Sequence, residues 1–112
     1  MKQRFLNFSF FLSFFLLFPF FTEAKEIKTG EVLFTNNCLA CHVGGNNVII
    51  PEKNLKKDAL EANGMNTLSA ISYQITNGKN GMPAFGGRLT EEEIEEIGRY
   101  ILMKSQNDFK EL

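Results

Sequence analysis

The sequence predicts an all-α domain of about four helices, and three observations carry that prediction. No run alternates apolar and polar residues long enough to make a strand. Thr90-Glu91-Glu92-Glu93 is a capping box ahead of apolar residues at helical spacing. Asn63-Gly64 and Asn77-Gly78 end two further helix-patterned segments at residue types that tolerate a left-handed stop. At 112 residues and 44% hydrophobic content, the chain is one ordered domain rather than a disordered polymer.

The N-terminus reads as a targeting segment. Lys2 and Arg4 give a positive start, and an apolar stretch runs from Phe5 to Phe21, which holds most of the chain's 12 Phe. Thr22-Glu23-Ala24 then puts small residues at both key positions of a cleavage site. The stretch is shorter than the roughly 20 apolar residues of a membrane span, and Pro19 lies near its end. Residues 1–24 are therefore expected to be a cleaved signal, leaving residues 25–112 as the functional domain. Removing Lys2, Arg4 and Glu23 takes the formal charge from −1 to −2, which gives no basic footprint for nucleic acid.

The remaining elements follow in chain order. Gly30, Phe34 and Cys38 share a four-residue spacing and line one side of a helix from about Lys28 to Asn37. A short helix is expected from about Leu55 to Ala62, stopped at Asn63-Gly64. Thr67 caps a third, with Leu68, Ile71 and Ile75 inward and a stop at Asn77-Gly78. The last runs from about Glu91 to about Gln106, with Ile94, Ile97, Gly98 and Ile101 on one face. Three acids in its first turn and Lys104 near its end suit the helix dipole. Tyr73 and Tyr100 read as core aromatics, and Met103 as core filler.

The chemistry sits at Cys38-Leu39-Ala40-Cys41-His42. This C-x-x-C-H run is the attachment signature of c-type haem. Two cysteines three apart reach both vinyl groups of one porphyrin and form thioethers, which holds the next residue, His42, under the iron. A structural zinc site takes four ligands and only Cys38, Cys41 and His42 are present. A cysteine-ligated iron–sulfur cluster needs four cysteines. A thioredoxin-type pair would need a βαβ setting, and a Cys38–Cys41 disulfide closes too small a loop to stabilise much. Covalent attachment also suits a domain of this size, which buries little apolar surface unaided.

What fills the sixth iron position separates electron transfer from ligand binding. His42 is the only histidine, so a thioether is the natural candidate. Of the four Met, Met1 leaves with the signal and Met103 belongs to the last helix. Met65 follows a helix stop. Met82 stands in Gly81-Met82-Pro83-Ala84-Phe85, where Gly81 gives freedom and Pro83 stiffness. Spacing favours Met82 while leaving Met65 open, since either can be a packing residue.

Beyond the motif, the chain resembles the cytochrome c₆ family over nearly all of residues 25–109. The marks are Cys38-Leu39-Ala40-Cys41-His42 followed by Gly44-Gly45-Asn46-Asn47, then Leu55-Lys56-Lys57, Tyr73-Gln74-Ile75, and the run from Asn77 through Gly78-Lys79-Asn80-Gly81-Met82-Pro83-Ala84-Phe85-Gly86-Gly87-Arg88 to Leu89. The resemblance implies a small class I cytochrome c fold wrapped round one covalently attached haem c, with Cys38 and Cys41 as thioether sites and His42 and Met82 as axial iron ligands. It implies that Gln74 lies near the haem. It also implies that Gly30 and Phe34 meet Ile97 and Tyr100 where the first and last helices cross. Family members often end in a Trp beyond the last helix. This chain has none, and Phe109 is the residue at hand for that place.

With both axial positions filled, the expected function is a one-electron carrier and not an enzyme. The resemblance names cytochrome b₆f as donor and photosystem I as acceptor, in the thylakoid lumen of a plastid or the lumen or periplasm of a bacterium. A short signal with no long Ser-rich transit region suits a plastid or bacterial gene. The second reading is a haem subunit of a larger oxidoreductase held by an uncleaved anchor. A third, a ligand-binding haem protein, requires an open sixth position. Arg88, just beyond the Met82 loop, is either a docking residue or a structural one. The structural version packs its stem over the Gly86-Gly87 turn or gives its guanidinium to a carbonyl or a haem propionate. The acids of Glu91 to Glu96 read as a solvated helix start, Lys56 and Lys57 as surface charge, and Asn46-Asn47 as a turn.

Overall fold

The structure is a computed structural model and describes residues 22–111. The leader expected over residues 1–24 lies almost wholly outside the described residues. Five α-helices follow in order: α1 (Thr22–Asn37), α2 (Leu39–His42), α3 (Lys57–Ala62), α4 (Leu68–Asn77) and α5 (Glu91–Ser105). Two 3₁₀ turns, Val43–Gly45 and Pro51–Lys53, bridge α2 to α3. The described residues contain no strand, only the isolated bridges Lys79–Met82 and Gly86–Leu89. The all-α expectation holds, and the four longer helices are the four expected. The fifth, α2, is a single turn.

Local chemistry sets most boundaries. Thr90 Oγ1 accepts from Glu93 N at 3.1 Å and Glu93 Oε1 accepts from Thr90 N at 2.9 Å, the reciprocal pair of a capping box. Thr67 Oγ1 accepts from Ala70 N at 3.1 Å and starts α4. Gly78, at φ +68°, stops it. Two boundaries differ from expectation. Helix α1 begins at Thr22 rather than Lys28 because Glu23-Ala24-Lys25-Glu26 are helix formers with no breaker among them. Helix α3 begins at Lys57 rather than Leu55. Leu55 N donates to Gly45 O at 2.7 Å and Lys56 N to Asn54 Oδ1 at 2.9 Å, and Lys56 is extended at ψ 158°, so the chain turns into the helix only after it.

The core is Phe34, Leu60, Ile71, Ile75, Phe85, Ile94, Ile97, Tyr100 and Ile101. It forms where α1 crosses α5 and α4 packs against α5. Phe34 meets Tyr100 with ring centroids 5.3 Å apart, tilted by 52°. At the crossing, a Cβ built on Gly30 would collide with the Glu96 carbonyl and stand 3.0 Å from Tyr100 Cβ. This obstacle is backbone and cannot rotate away, so Gly30→Ala must spread the helices. Overpacking of this kind costs about 1–3 kcal/mol. The melting temperature of the haem-loaded protein should fall by roughly 4–8 °C per kcal/mol. An unchanged melting curve would show that α1 and α5 do not cross this closely.

Two residues depart from their expected setting. Tyr73 is 72% exposed and Met103 42% exposed, so neither is core. Each lies on the outer side of its helix, away from the buried stripe. Ser105, by contrast, is completely buried and donates its hydroxyl to Leu102 O at 2.8 Å. Past α5 the chain turns back through Asp108 and Phe109, both in the left-handed region at φ +55° and +60°. Phe109 comes within 6.1 Å of the Phe34 ring, and it fills the space a Cβ on Gly45 would need. Phe109 therefore packs the tail onto the core.

Candidate functional site

The C-x-x-C-H run follows directly from α1. Cys38 N donates to Phe34 O at 2.8 Å, while Cys41 N and His42 N both donate to Cys38 O, at 3.2 and 3.0 Å. Positions i, i+3 and i+4 of one helical turn share a face, so Cys38, Cys41 and His42 turn to the same side. That side borders a cavity of about 280 Å³. Burial pushes the Cys38 thiol up to about 11, and the neighbouring Cys41 adds to the shift. A free thiol there stays protonated at neutral pH and is a poor redox nucleophile. A thioether has no proton to lose and is indifferent to the same burial. No group of three His, Cys, Asp or Glu among the described residues is arranged to hold a metal ion by itself.

The loop after the motif orients the imidazole. Gly44 and Gly45, at φ +64° and +76°, reverse the chain. This brings the Asn46 carbonyl within 2.9 Å of His42 Nδ1. A carbonyl only accepts, so Nδ1 carries the hydrogen and the Nε2 lone pair is left for a metal. Asn47 organises the next turn: its Oδ1 accepts from Ile49 N at 3.0 Å and Ile50 N at 2.8 Å, and its Nδ2 donates to Lys53 O at 2.9 Å. The composition of this stretch indicates a turn. The identity of Asn47 as its organiser emerges only in three dimensions.

The opposite wall comes from α4 and the loop behind it. Phe85 N and Gly86 N donate to Ile75 O and Thr76 O, at 2.9 and 3.0 Å, pinning the loop back on the helix. A Cβ on Gly78 would come within 2.6 Å of Met82 O, so only glycine lets the loop fold this closely. Met82 is half-buried, with Gln74 Nε2 3.8 Å from its sulfur. The cavity thus gathers Cys38, Cys41, His42, Gln74 and Met82, although 44 residues separate the first from the last. Met65 lines it too, held by Met65 N donating to Leu60 O at 2.7 Å. Tyr73 is not part of it. Arg88 lies outside, with its guanidinium 4.8 Å above the ring of Phe85, which does line the cavity.

These residues fit a haem. Phe34, Leu55, Leu60, Ile71, Ile75 and Phe85 supply an apolar bed for a porphyrin, and the polar donors are an imidazole nitrogen and thioether sulfurs. The comparisons agree. A family model described as cytochrome c oxidase, cbb3-type, subunit III matches residues 25–101. Cytochrome c6 of Bumilleriopsis filiformis is 67% identical over 81 residues, which is 72% of this chain and 94% of that relative. The chain belongs to the cytochrome c₆ family. Cytochrome c6 of Pyropia yezoensis is 55% identical over 102 residues, 91% of this chain and 90% of that protein. The crystal structure of cytochrome c6 from the diatom Phaeodactylum tricornutum superposes with a TM-score of 0.71 at 49% identity, covering 73% of this chain and 97% of the diatom protein. Membership of the cytochrome c₆ family makes the chain a c-type cytochrome with one covalently bound haem c, an electron carrier rather than an enzyme. Among the described residues, no helix is long and apolar enough to cross a membrane.

Proposed function

We propose that this chain is exported, cleaved after Ala24, and shuttles single electrons from cytochrome b₆f to photosystem I in a thylakoid lumen. Cys38 and Cys41 would carry the thioether links to the haem, and His42 and Met82 would hold its iron. One observation carries the reading: the C-x-x-C-H face, a histidine with its Nδ1 already engaged, and Met82 with Gln74 against its sulfur all border one apolar cavity. When bound, the haem supplies a one-electron change at iron. The chain's residues do the rest. Asn46 holds the imidazole in the tautomer that offers Nε2. The pinned loop presents Met82, and a thioether ligand in apolar surroundings favours the reduced form and raises the potential. With His42 and Met82 both held to the iron, no position would be left for a substrate, which suits a carrier.

The proposed export has a direct check. N-terminal sequencing of native protein should begin at Lys25, in the soluble fraction. Full-length chain in salt-washed membranes would favour the other reading, a fixed haem subunit of a larger oxidoreductase, which the description of the matching family model keeps in view. Near-full coverage of the cytochrome c6 relatives supports the free carrier.

Arg88 is proposed as a docking residue. Its guanidinium rests on Phe85 and the side chain stays exposed, so a fixed positive charge stands at the surface beside the cavity wall. Arg88→Glu should slow second-order transfer to photosystem I at low salt, with the deficit shrinking as ionic strength screens the charge. Potential and melting temperature should hold. Unchanged kinetics at low salt would remove the docking role, and a shift in potential or melting would make Arg88 structural.

A further inference from the structure

Asn-Gly is the dipeptide most prone to spontaneous deamidation, because glycine leaves the following amide nitrogen unshielded. The chain has three: Asn63-Gly64, Asn77-Gly78 and Asn80-Gly81. The structure protects two of them. Asn63 Nδ2 donates to Ala59 O at 2.8 Å, and Gly64 N donates to Glu61 O at 3.2 Å. Asn77 Nδ2 donates to Tyr73 O at 2.9 Å, and Gly78 N donates to Gln74 O at 2.8 Å. In both pairs the electrophilic side chain and the attacking nitrogen are tied to helix carbonyls, so both hydrogen bonds must break before they meet. Asn80-Gly81 is different. Both residues are exposed, and neither the Asn80 side chain nor the Gly81 amide has a hydrogen-bond partner among the described residues. Asn80 is at φ +53°, the left-handed region that asparagine tolerates better than most side-chain-bearing residues.

We propose that Asn80 is a self-modification site, and that its deamidation loosens the Met82 loop. Gly81 N attacks Asn80 Cγ, a C–N bond forms, and the side-chain nitrogen leaves as ammonia. Water then opens the resulting succinimide, giving aspartate or isoaspartate. No redox partner or enzyme is needed. Either product adds a negative charge at the mouth of the cavity, where Asn80 stands. Isoaspartate also inserts the side-chain methylene into the backbone. The turn has no slack for it: Asn80 and Gly81 are the whole connection between Lys79 and Met82, which exchange both backbone hydrogen bonds at 3.1 and 3.0 Å. Lengthening a two-residue turn breaks that register and shifts Met82. This second step rests on the assignment of Met82 as an iron ligand.

The test ages purified holoprotein at mildly alkaline pH, maps the three Asn-Gly peptides by mass, and counts isoaspartate with an L-isoaspartyl methyltransferase. The Asn80 peptide should convert roughly tenfold faster than the other two, the factor expected when one or two hydrogen bonds need not be broken first. Equal rates, or Asn80 the slowest, would overturn the site. The methionine–iron charge-transfer band of the ferric protein should decline in step with isoaspartate at Asn80, and Asn80→Ser should keep the band on ageing. Conversion at Asn80 with the band intact would overturn the link to Met82. Should freshly purified protein lack the band, the Met82 assignment fails by itself, while the order of peptide conversion still decides the site.

Discussion

Replacing both Cys38 and Cys41 with serine should abolish covalent haem attachment and, with it, a stably folded domain. Acid–acetone extraction should leave haem on the unaltered protein and strip any from the double variant. The second loss follows from magnitude. The cavity that the motif faces measures about 280 Å³. Without the haem, the apolar side chains that line the cavity lose their cover, and each large one left facing water forgoes about 1.5–3 kcal/mol. Small domains have only about 5–15 kcal/mol of net stability in total. Among the described residues nine side chains form the core round such a space, which leaves little margin to lose. Far-ultraviolet circular dichroism of the double variant should show much of the helix signal gone at room temperature. Haem that extracts freely from the unaltered protein would sink the attachment claim. A well-folded haem-free variant would sink the argument that the cofactor is the staple.

The features that were legible in the sequence are those fixed by neighbours along the chain. Thr90 with Glu93, Thr67 with Ala70, and Gly78 after Asn77 set helix ends through contacts a few residues apart, and their residue types announce them. The C-x-x-C-H run is readable for the same reason: one helical turn brings two attachment cysteines and one ligating histidine to one face. Expectation failed where distant parts decide. Leu55 N is tied to the carbonyl of Gly45, ten residues back, and the chain stays extended through Lys56, a long-range contact that no propensity reports. Met65 and Met82 both reach the cavity, so the sequence alone does not separate them.

Tyr73 and Met103 are failures of another kind, because periodicity was enough to place them. Tyr73 is two residues from both Ile71 and Ile75, and Met103 is two past Ile101. Two residues is about 200° round a helix, which is the opposite face. Apolar character suggested burial, yet angular position decided exposure. Ser105 shows the converse. It falls four residues after Ile101 on the buried stripe and satisfies its hydroxyl on Leu102 O instead of reaching water.

Met82→Ala should produce the largest functional change of any single substitution on the loop side of the cavity. Without the thioether, the reduced form loses a ligand that favours it. Axial identity and surroundings together move haem potentials over about 0.8 V, and removing the methionine should lower this one by on the order of 0.1 V. Cyanide or imidazole should then bind readily to the ferric protein, where the unaltered protein resists both. The methionine–iron band at the red edge of the ferric spectrum should vanish. Met65→Ala is the necessary control, since Met65 is half-buried against the same cavity. As a half-buried packing residue, Met65 should cost on the order of 1 kcal/mol of stability when truncated and leave both band and ligand resistance in place. The two differ because Met82 alone has Gln74 Nε2 within 3.8 Å of its sulfur and sits on a loop pinned to α4 by Phe85 and Gly86. That support fixes a sulfur in place, which a packing side chain does not require. Loss of the band in Met65→Ala with its survival in Met82→Ala would move the iron ligand to the segment between α3 and α4.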